Sequence, residues 1–426
     1  MNTENNAPKL TVPDGVFRNK ILATVAYTAR VVALTCASGP LMQTFLAALG
    51  FDSHRIYVHS SILQAVNVLT ILIFSGWVSN KNPIKRSAFA ILPTALLFLT
   101  YLPIAIRQSA SFSSYIILCA IGAFQQISIG LFTVCEYKVP YYIYRKSEYG
   151  MMLSICGIIS SLLSLGVGAV ISYFTARVPF TKVMAIAFCF SSLLIVIASL
   201  SILFEKSLIS NSEEETGGEE AKKVSIIALL RLPIFSGLIA ANIMRGFTAG
   251  VIGVLATVAL DLGHSESLTA AMVSAQSFAS LLACGVFAAC SKKLSPTVFL
   301  LAGGAFILML PLLKISGSTG YLLIYLFIVF GRTLIDYSVP TLLIRSVSAN
   351  FAGSYHAWRM VLQNVGTLLA TLLASRISHM PLLLIGAAFQ LISCISFYIC
   401  TKNSTTKEQL LDSKSDSLNL ESEVTQ

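Results

Sequence analysis

The stretch EYKVPYYIYR, Glu136–Arg145, returns 200 residues later as DYSVPTLLIR, Asp336–Arg345. Acid, Tyr, Val, Pro and Arg fall at matching places in both. Working outward from this pair, three more correspondences keep the same order along the chain. Arg30 in YTARVV matches Arg245 in NIMRGF, each followed downstream by a glycine, Gly50 and Gly263. GWVSNKNPIKR from Gly76 matches GVFAACSKKLSP from Gly285, and on that anchor Asn67 falls opposite Gln276. Each match alone is weak, but four in one order imply an internal duplication, which fixes architecture before any single element does.

Composition says where the duplicated unit folds. Of 426 residues, 55% are hydrophobic and only 11% charged, and the mean hydropathy is +0.79. A soluble domain carries about 25% charged residues, so a soluble fold is excluded. Apolar runs of bilayer-crossing length, about 20 residues, recur throughout, as in VMAIAFCFSSLLIVIASLSILF from Val183. Backbone in hydrocarbon must satisfy its own hydrogen bonds, and runs of this length do so as helices. Twelve spans are expected, at roughly 22–46, 57–78, 87–106, 112–135, 150–174, 182–203, 233–259, 267–290, 296–313, 320–343, 358–376 and 380–401.

Domain organisation follows from the breaks in this pattern. Residues 1–20 form an N-terminal segment without the apolar core of a signal peptide. A six-helix bundle is expected over 21–204 and a second over 232–402. Between them, 205–231 is a linker whose acidic, Ser/Gly-containing centre cannot form a core, and 403–426 is a polar, Ser-rich tail. Of the 29 Lys and Arg, 20 fall on the side of the termini and 6 on the other, with Arg30, Arg245 and Arg332 inside spans. The positive-inside rule therefore leads to the expectation of both termini in the cytoplasm, and a plasma-membrane location is expected. The net charge of +10 is read as anchoring beside anionic lipid, not as nucleic-acid binding. The nine cysteines lie in or beside spans without ligand spacing, so they read as packing residues, and no metal or cofactor is expected.

Two repeats of six spans with a long central loop resemble the major facilitator superfamily (MFS). Gly76, Ser79, Lys81, Lys85 and Arg86 match its loop 2–3 motif, while Asn80 stands where that family has an acid and Pro83 where it has a second Gly. The resemblance implies an all-α membrane fold of 12 helices in two bundles related by a pseudo-twofold axis, with a binding site between the bundles. The Tyr27-to-Arg30 spacing also resembles the arginine pair of organophosphate:phosphate antiporters. In that architecture Arg30 and Arg245 would face each other across the axis.

Few ionisable groups enter the spans, and at ~3 kcal/mol or more each they need partners or water. Two guanidiniums near the midplane suit a carboxylate, phosphate or sulfate. Arg332 and Asp336 are four residues apart on one helical face and can pair. Asp336, the one carboxylate placed clearly inside a span, is a candidate proton site. Glu136, its repeat partner, is a candidate gating acid together with Arg145 and Arg345, each after a proline expected to stop its helix. Tyr27, Asn67, Gln125, Gln276, Gln363 and Asn364 complete the expected binding set, with Arg332 added. The bland alternatives are a self-neutralised Arg332–Asp336 pair and amides that merely join helices.

The function expected is a secondary transporter, a symporter or antiporter working by alternating access. Its substrate is expected to be a small organic anion, coupled to a proton or counter-anion, in a monomer. An efflux pump for amphiphiles of the same fold, or a transport-fold receptor that does not translocate, are the alternatives. Enzyme chemistry is not expected: the spans hold no Ser/His/Asp set, no His/Glu metal spacing and no Gly-rich phosphate loop. All five histidines are placed at or near loops.

Overall fold

A computed structural model describes residues 15–37, 39–74, 83–108, 110–136, 139, 143, 149–207, 233–290, 294–346 and 349–400. These are helices and short connections. Helix α1 runs as two pieces, Gly15–Ala37 and Gly39–Ala48. It is followed by α2, Ser53–Phe74. Helix α3 spans Pro83–Arg107 in three pieces broken before Pro93 and at Tyr101, ahead of Pro103. Proline supplies no N–H to the turn before it, so the breaks fall where the sequence puts the rings. Next come α4, Phe112–Glu136, α5, Tyr149–Thr175, and α6, Phe180–Leu203.

The second half repeats this order. Helix α7 comprises Pro233–Gly253 and Leu255–Asp261, bent by 43° at Val254. It is followed by α8, Glu266–Cys290. Helix α9 runs over Pro296–Ile307 and tightens into a 3₁₀ turn at Leu310–Ile315. Then come α10, Ser318–Ser346, α11, Ala349–Ala374, and α12, His379–Cys400. Among the described residues ten helices are long and apolar enough to cross a bilayer, and bent α7 makes an eleventh. The twelfth is α11, whose first turns carry Ser354, His356 and Arg359. Large apolar side chains such as Ile73, Phe124, Ile186 and Leu323 are exposed on the outer faces, as lipid-facing residues are.

One observation corrects the sequence reading. Helix α10 continues through Pro340 to Ser346, so that proline does not stop it. Membrane helices tolerate an internal proline because the freed carbonyl can be satisfied by neighbouring groups.

Each half has a core, with Ala270 and Val273 of α8 joining the first and Tyr57 of α2 the second. One gathers Phe45, Ile91, Phe98, Tyr101 and Phe188 from α1, α3 and α6. The other gathers Leu255, Leu300, Tyr321, Ile328 and Phe397 from α7, α9, α10 and α12. The bundles meet chiefly where α5 packs on α8 and α2 packs on α11. Under the duplication α5 corresponds to α11 and α2 to α8, so these two contacts are one contact made twice. Within the second half, α7 and α11 approach backbone to backbone. A Cβ on Gly246 would lie 1.9 Å from the Gln363 carbonyl oxygen, and one on Gly366 would lie 2.0 Å from that of Ile243. Only glycine fits such a crossing.

Below, the near end is the one where α1 begins and the far end the one where it stops. The far end is closed by hydrogen bonds between bundles. The bend at Val254 strands backbone groups of α7, and Gln43 of α1 takes both sides of the gap. Its Nε2 donates to the Gly253 carbonyl at 2.5 Å, and its Oε1 accepts from the Thr257 N–H at 3.2 Å and hydroxyl at 2.9 Å. Thr44 donates to Thr269 at 2.8 Å and Ser61 to Thr371 at 2.9 Å. Asp261 accepts from Ser53 and, at 3.3 Å, from Tyr57, and lies 3.3 Å from His379 Nε2. Toward the near end the joining contacts become apolar: Val68 and Ile71 of α2 against Val361 and Trp358 of α11.

Candidate functional site

Arg30 sits 15 residues into α1, ~22 Å along the helix at 1.5 Å per residue. A guanidinium at that depth needs an anion, and α4 brings it one. Arg30 Nη2 donates to Glu136 Oε1. The guanidinium also lies over Phe132, 4.6 Å from its centroid, and 5.5 Å from that of Tyr27, which adds cation–π attraction.

The second half repeats the arrangement. Arg245 Nη2 of α7 donates to Asp336 Oδ1 of α10. The two acids are those of the repeated motif, and the two arginines are each other's repeat partners. In this structure each arginine is engaged by the acid of its own bundle, where the sequence led to the expectation of two guanidiniums facing each other across the axis. Such pairing is the cheaper arrangement, because a charge left unpaired at this depth costs several kcal/mol. The gating role expected of Arg145 and Arg345 beside these acids is a separate matter. Arg145 lies outside the described residues, and Arg345 is nine residues beyond Asp336 on α10, about 14 Å away.

The halves differ in what surrounds the pair. Arg332 Nε lies 3.7 Å from Asp336 Oδ2, so the expected four-residue pair forms and one carboxylate serves two guanidiniums. Counting back by the motif's offset, the position of Arg332 is held by Phe132 in the first half. A cleft opens beside the second pair, lined by Arg245, Ala249, Ile252, Ile307, Arg332, Ile335, Asp336 and Gln390. Arg245 is 6% exposed, and its Nη1 is buried without a hydrogen-bond partner among the described residues. Arg332 and Asp336 face away from lipid. They lie about half a turn round α10 from the exposed Leu323 and Phe327.

The amides sort themselves by neighbour. Asn67 of α2 donates to Gln126 Oε1 of α4 at 3.0 Å and accepts from Asn364 Nδ2 of α11 at 2.9 Å, so it ties the bundles together. Gln125, expected in the site, is instead buried and accepts from the Tyr101 hydroxyl at 3.3 Å. One residue is 100° of helix, which turns Gln125 into the first core and leaves Gln126 beside Asn67. Gln276 of α8 is exposed roughly 160° round its helix from the lipid-facing Phe278, and it accepts from the Tyr325 hydroxyl at 3.1 Å. Gln276 therefore opens toward the gap between bundles. Gln363 is half-buried, and its backbone carbonyl meets Gly246 and accepts from Thr367. Tyr27 is half-buried beneath Arg30.

Of the loop 2–3 motif, Gly76, Ser79 and Lys81 lie outside the described residues, Lys85 is exposed and Arg86 half-buried. His59 departs from expectation: it is buried in α2 at 1% exposure, with Gly122 of α4 giving it room. Arg359, counted with the loop cations, is buried within α11. Sequence reading also passed over Tyr325, Gln390 and the Asp261 hub. Their only signal was a polar residue inside an apolar run.

The sequence matches none of the curated proteins. Solved structures share the fold at low identity. A D-xylose-proton symporter superposes with a TM-score of 0.65 at 14% identity, over 90% of this chain and 97% of that one. A variant of the nucleoside transporter NupG gives 0.63 at 14%, over 90% and 99%. A variant of the E. coli fucose:proton symporter FucP gives 0.62 at 12%, over 91% and 99%. The family model described as Major Facilitator Superfamily matches residues 21–371, most of the chain. With twelve helices in two duplicated bundles, this chain belongs to the Major Facilitator Superfamily.

Proposed function

We propose that the chain is a secondary active transporter working by alternating access, with its substrate held between the bundles 21–204 and 232–402. The observation that carries the reading is the duplicated ion pair. Arg30–Glu136 and Arg245–Asp336 each link the first helix of a half to its fourth. A carboxylate that takes up a proton lets go of its guanidinium, so proton uptake and release of an arginine become one event. The freed arginine can then bind an anionic group with two parallel hydrogen bonds. On this reading a small organic anion enters together with a proton. The far-end hydrogen bonds made by Gln43, Thr44, Ser61 and Asp261 part when the protein opens to that side. The basic residues flanking the termini orient the near end toward the cytoplasm of the cell membrane.

A second substrate class is favoured by the amides. Asn67, Gln126, Asn364 and Gln276 offer the mixed donors and acceptors that a neutral polar solute needs. The structural neighbours include proteins named as sugar symporters. Uptake of labelled carboxylates and of labelled neutral sugars into proteoliposomes, with and without an imposed pH gradient, separates the two. The expected result is accumulation of carboxylates driven by the gradient and lost in Asp336→Asn. Accumulation of sugars alone would move the substrate to the neutral class. Absence of any uptake, or a gradient effect untouched by Asp336→Asn, would sink the coupling proposed.

A further inference from the structure

The two halves are duplicates, yet their charge balance differs. In the first half one guanidinium, Arg30, meets one carboxylate, Glu136, and the flanking position is the apolar Phe132, stacked against the cation. In the second half two guanidiniums, Arg245 and Arg332, meet the single carboxylate of Asp336. One positive charge is left over. Part of it is borne by Arg245 Nη1, which is buried without a partner among the described residues and belongs to a side chain lining the cleft. The remaining walls, Ala249, Ile252, Ile307 and Ile335, are apolar, and Gln390 closes the back. Gln390 is 2% exposed, and its Nε2 donates to a sulfur, Cys394 Sγ, at 3.2 Å.

From this imbalance we infer that the cleft between α7, α10 and α12 binds one small monovalent anion, a free halide ion or the carboxylate head of a substrate. An excess guanidinium among isoleucines is costly unless an anion shares its charge. The cleft has room for only about one water-sized group, which admits a halide or a carboxylate oxygen and excludes a bulky anion. Arg332 stands on the gap side, so the ion enters past it and comes to rest on Arg245 Nη1. In the first half Phe132 stands in the place of Arg332, so the described residues there carry no second guanidinium beside the pair. The site is therefore single and off the pseudo-twofold axis. Only its carboxylate form rests on the transport reading above; a halide site stands without it.

The test uses the purified full chain in detergent, with sodium sulfate exchanged for chloride, bromide or acetate at constant ionic strength and thermal unfolding as the readout. A saturable rise in Tm is expected. Arg332→Gln should raise the half-saturating concentration about tenfold or more, the loss of one charge-assisted contact. Lys85→Gln, which removes a surface cation, should leave it unchanged. Saturation by chloride and bromide identifies a free-ion site; saturation by acetate alone identifies a headgroup site. No saturable response, or one that survives Arg332→Gln, overturns the inference. Should Arg332→Gln fail to fold, anomalous scattering from bromide in wild-type crystals decides, and a cleft without a bromide peak overturns the halide form. Proteoliposome uptake remains a separate readout. Anion binding without transport would refute the transport reading alone, and transport without anion binding would refute this inference alone.

Discussion

The unequal ion pairs predict unequal costs of removing their acids. Glu136→Gln leaves Arg30 alone, with a side chain 14% exposed, but still stacked on Phe132 and Tyr27. Breaking a buried pair typically costs about 3–5 kcal/mol. Glu136 is 35% exposed, so water already screens a good part of the interaction. A loss of about 2 kcal/mol follows. Asp336→Asn instead strands two guanidiniums, one of them Arg245 with a side chain 7% exposed, and sets like charges side by side. Asp336 is also partly exposed, at 40%, so each of its two contacts is discounted in the same way to about 2 kcal/mol, about 4 kcal/mol together. Adding Arg332→Gln to Asp336→Asn removes the repulsion and should recover about 1–2 kcal/mol. Reversible unfolding in mixed micelles measures each variant and closes the cycle, in a buffer of fixed halide content. Equal losses for the two acids, or a double variant weaker than Asp336→Asn, would refute the reasoning, because the extra charge of the second half would then be fully hydrated.

Other consequences are simpler to check. Gly246→Ala drives a methyl group into the Gln363 carbonyl, so α7 and α11 must part; a loss of about 3 kcal/mol is expected by thermal unfolding, whereas Gly166→Ala, with nothing within 4 Å, should be neutral or slightly stabilising. Asn67→Ala removes the bond to Asn364, worth ~0.6 kcal/mol in membrane helices, and should raise the population of separated bundles about threefold, read as a distance change between spin labels on α2 and α11. Glu205, just past α6, is buried, and desolvation pushes its carboxyl from 4.5 up to about 8. The folded state thus holds a proton that the unfolded chain has lost, and stability falls as pH rises from about 4.5 to about 8, then levels. Glu205→Gln should flatten that slope in a Tm–pH series, and an unchanged slope would remove Glu205 as its source.

The fold was legible because a membrane simplifies the code. Length and hydropathy alone located the helices, and the repeated acid–Tyr–Val–Pro–Arg motif put them in register as two copies. Proline breaks inside α3 and the bend of α7 were not foreseen, since the apolar runs continue through them. Local pairing was legible too: Arg332 and Asp336 sit one helical turn apart, a relation that spacing encodes. The partners of Arg30 and Arg245 were not, because those contacts join residues 106 and 91 positions apart. The sequence held both members of each pair in corresponding places, and the clamp expected between the arginines overlooked the acids nearer to hand. Gln125 and Gln126 show the finest limit. Adjacent identical side chains point 100° apart, and only the packing of α4 decides which one enters the core.

Duplication also makes the site's divergence readable. Two copies of one bundle begin with the same charges at the same places, so a difference between them marks what the first copy lacks. Phe132 and Arg332 are that difference. A phenylalanine beside an ion pair shields it and makes the pair harder to open, whereas an arginine there competes for the same carboxylate and loosens the original bond. On the transport reading proposed above, Arg245–Asp336 is the pair at which an anion exchanges, taken up by Arg245 while Arg332 keeps the carboxylate of Asp336. Arg30–Glu136, packed on aromatic rings, is the one suited to hold its bundle rigid while the other changes partners. If the assignment is reversed, Glu136→Gln will abolish coupling and Asp336→Asn will spare it, and the division of labour between the halves falls with that result.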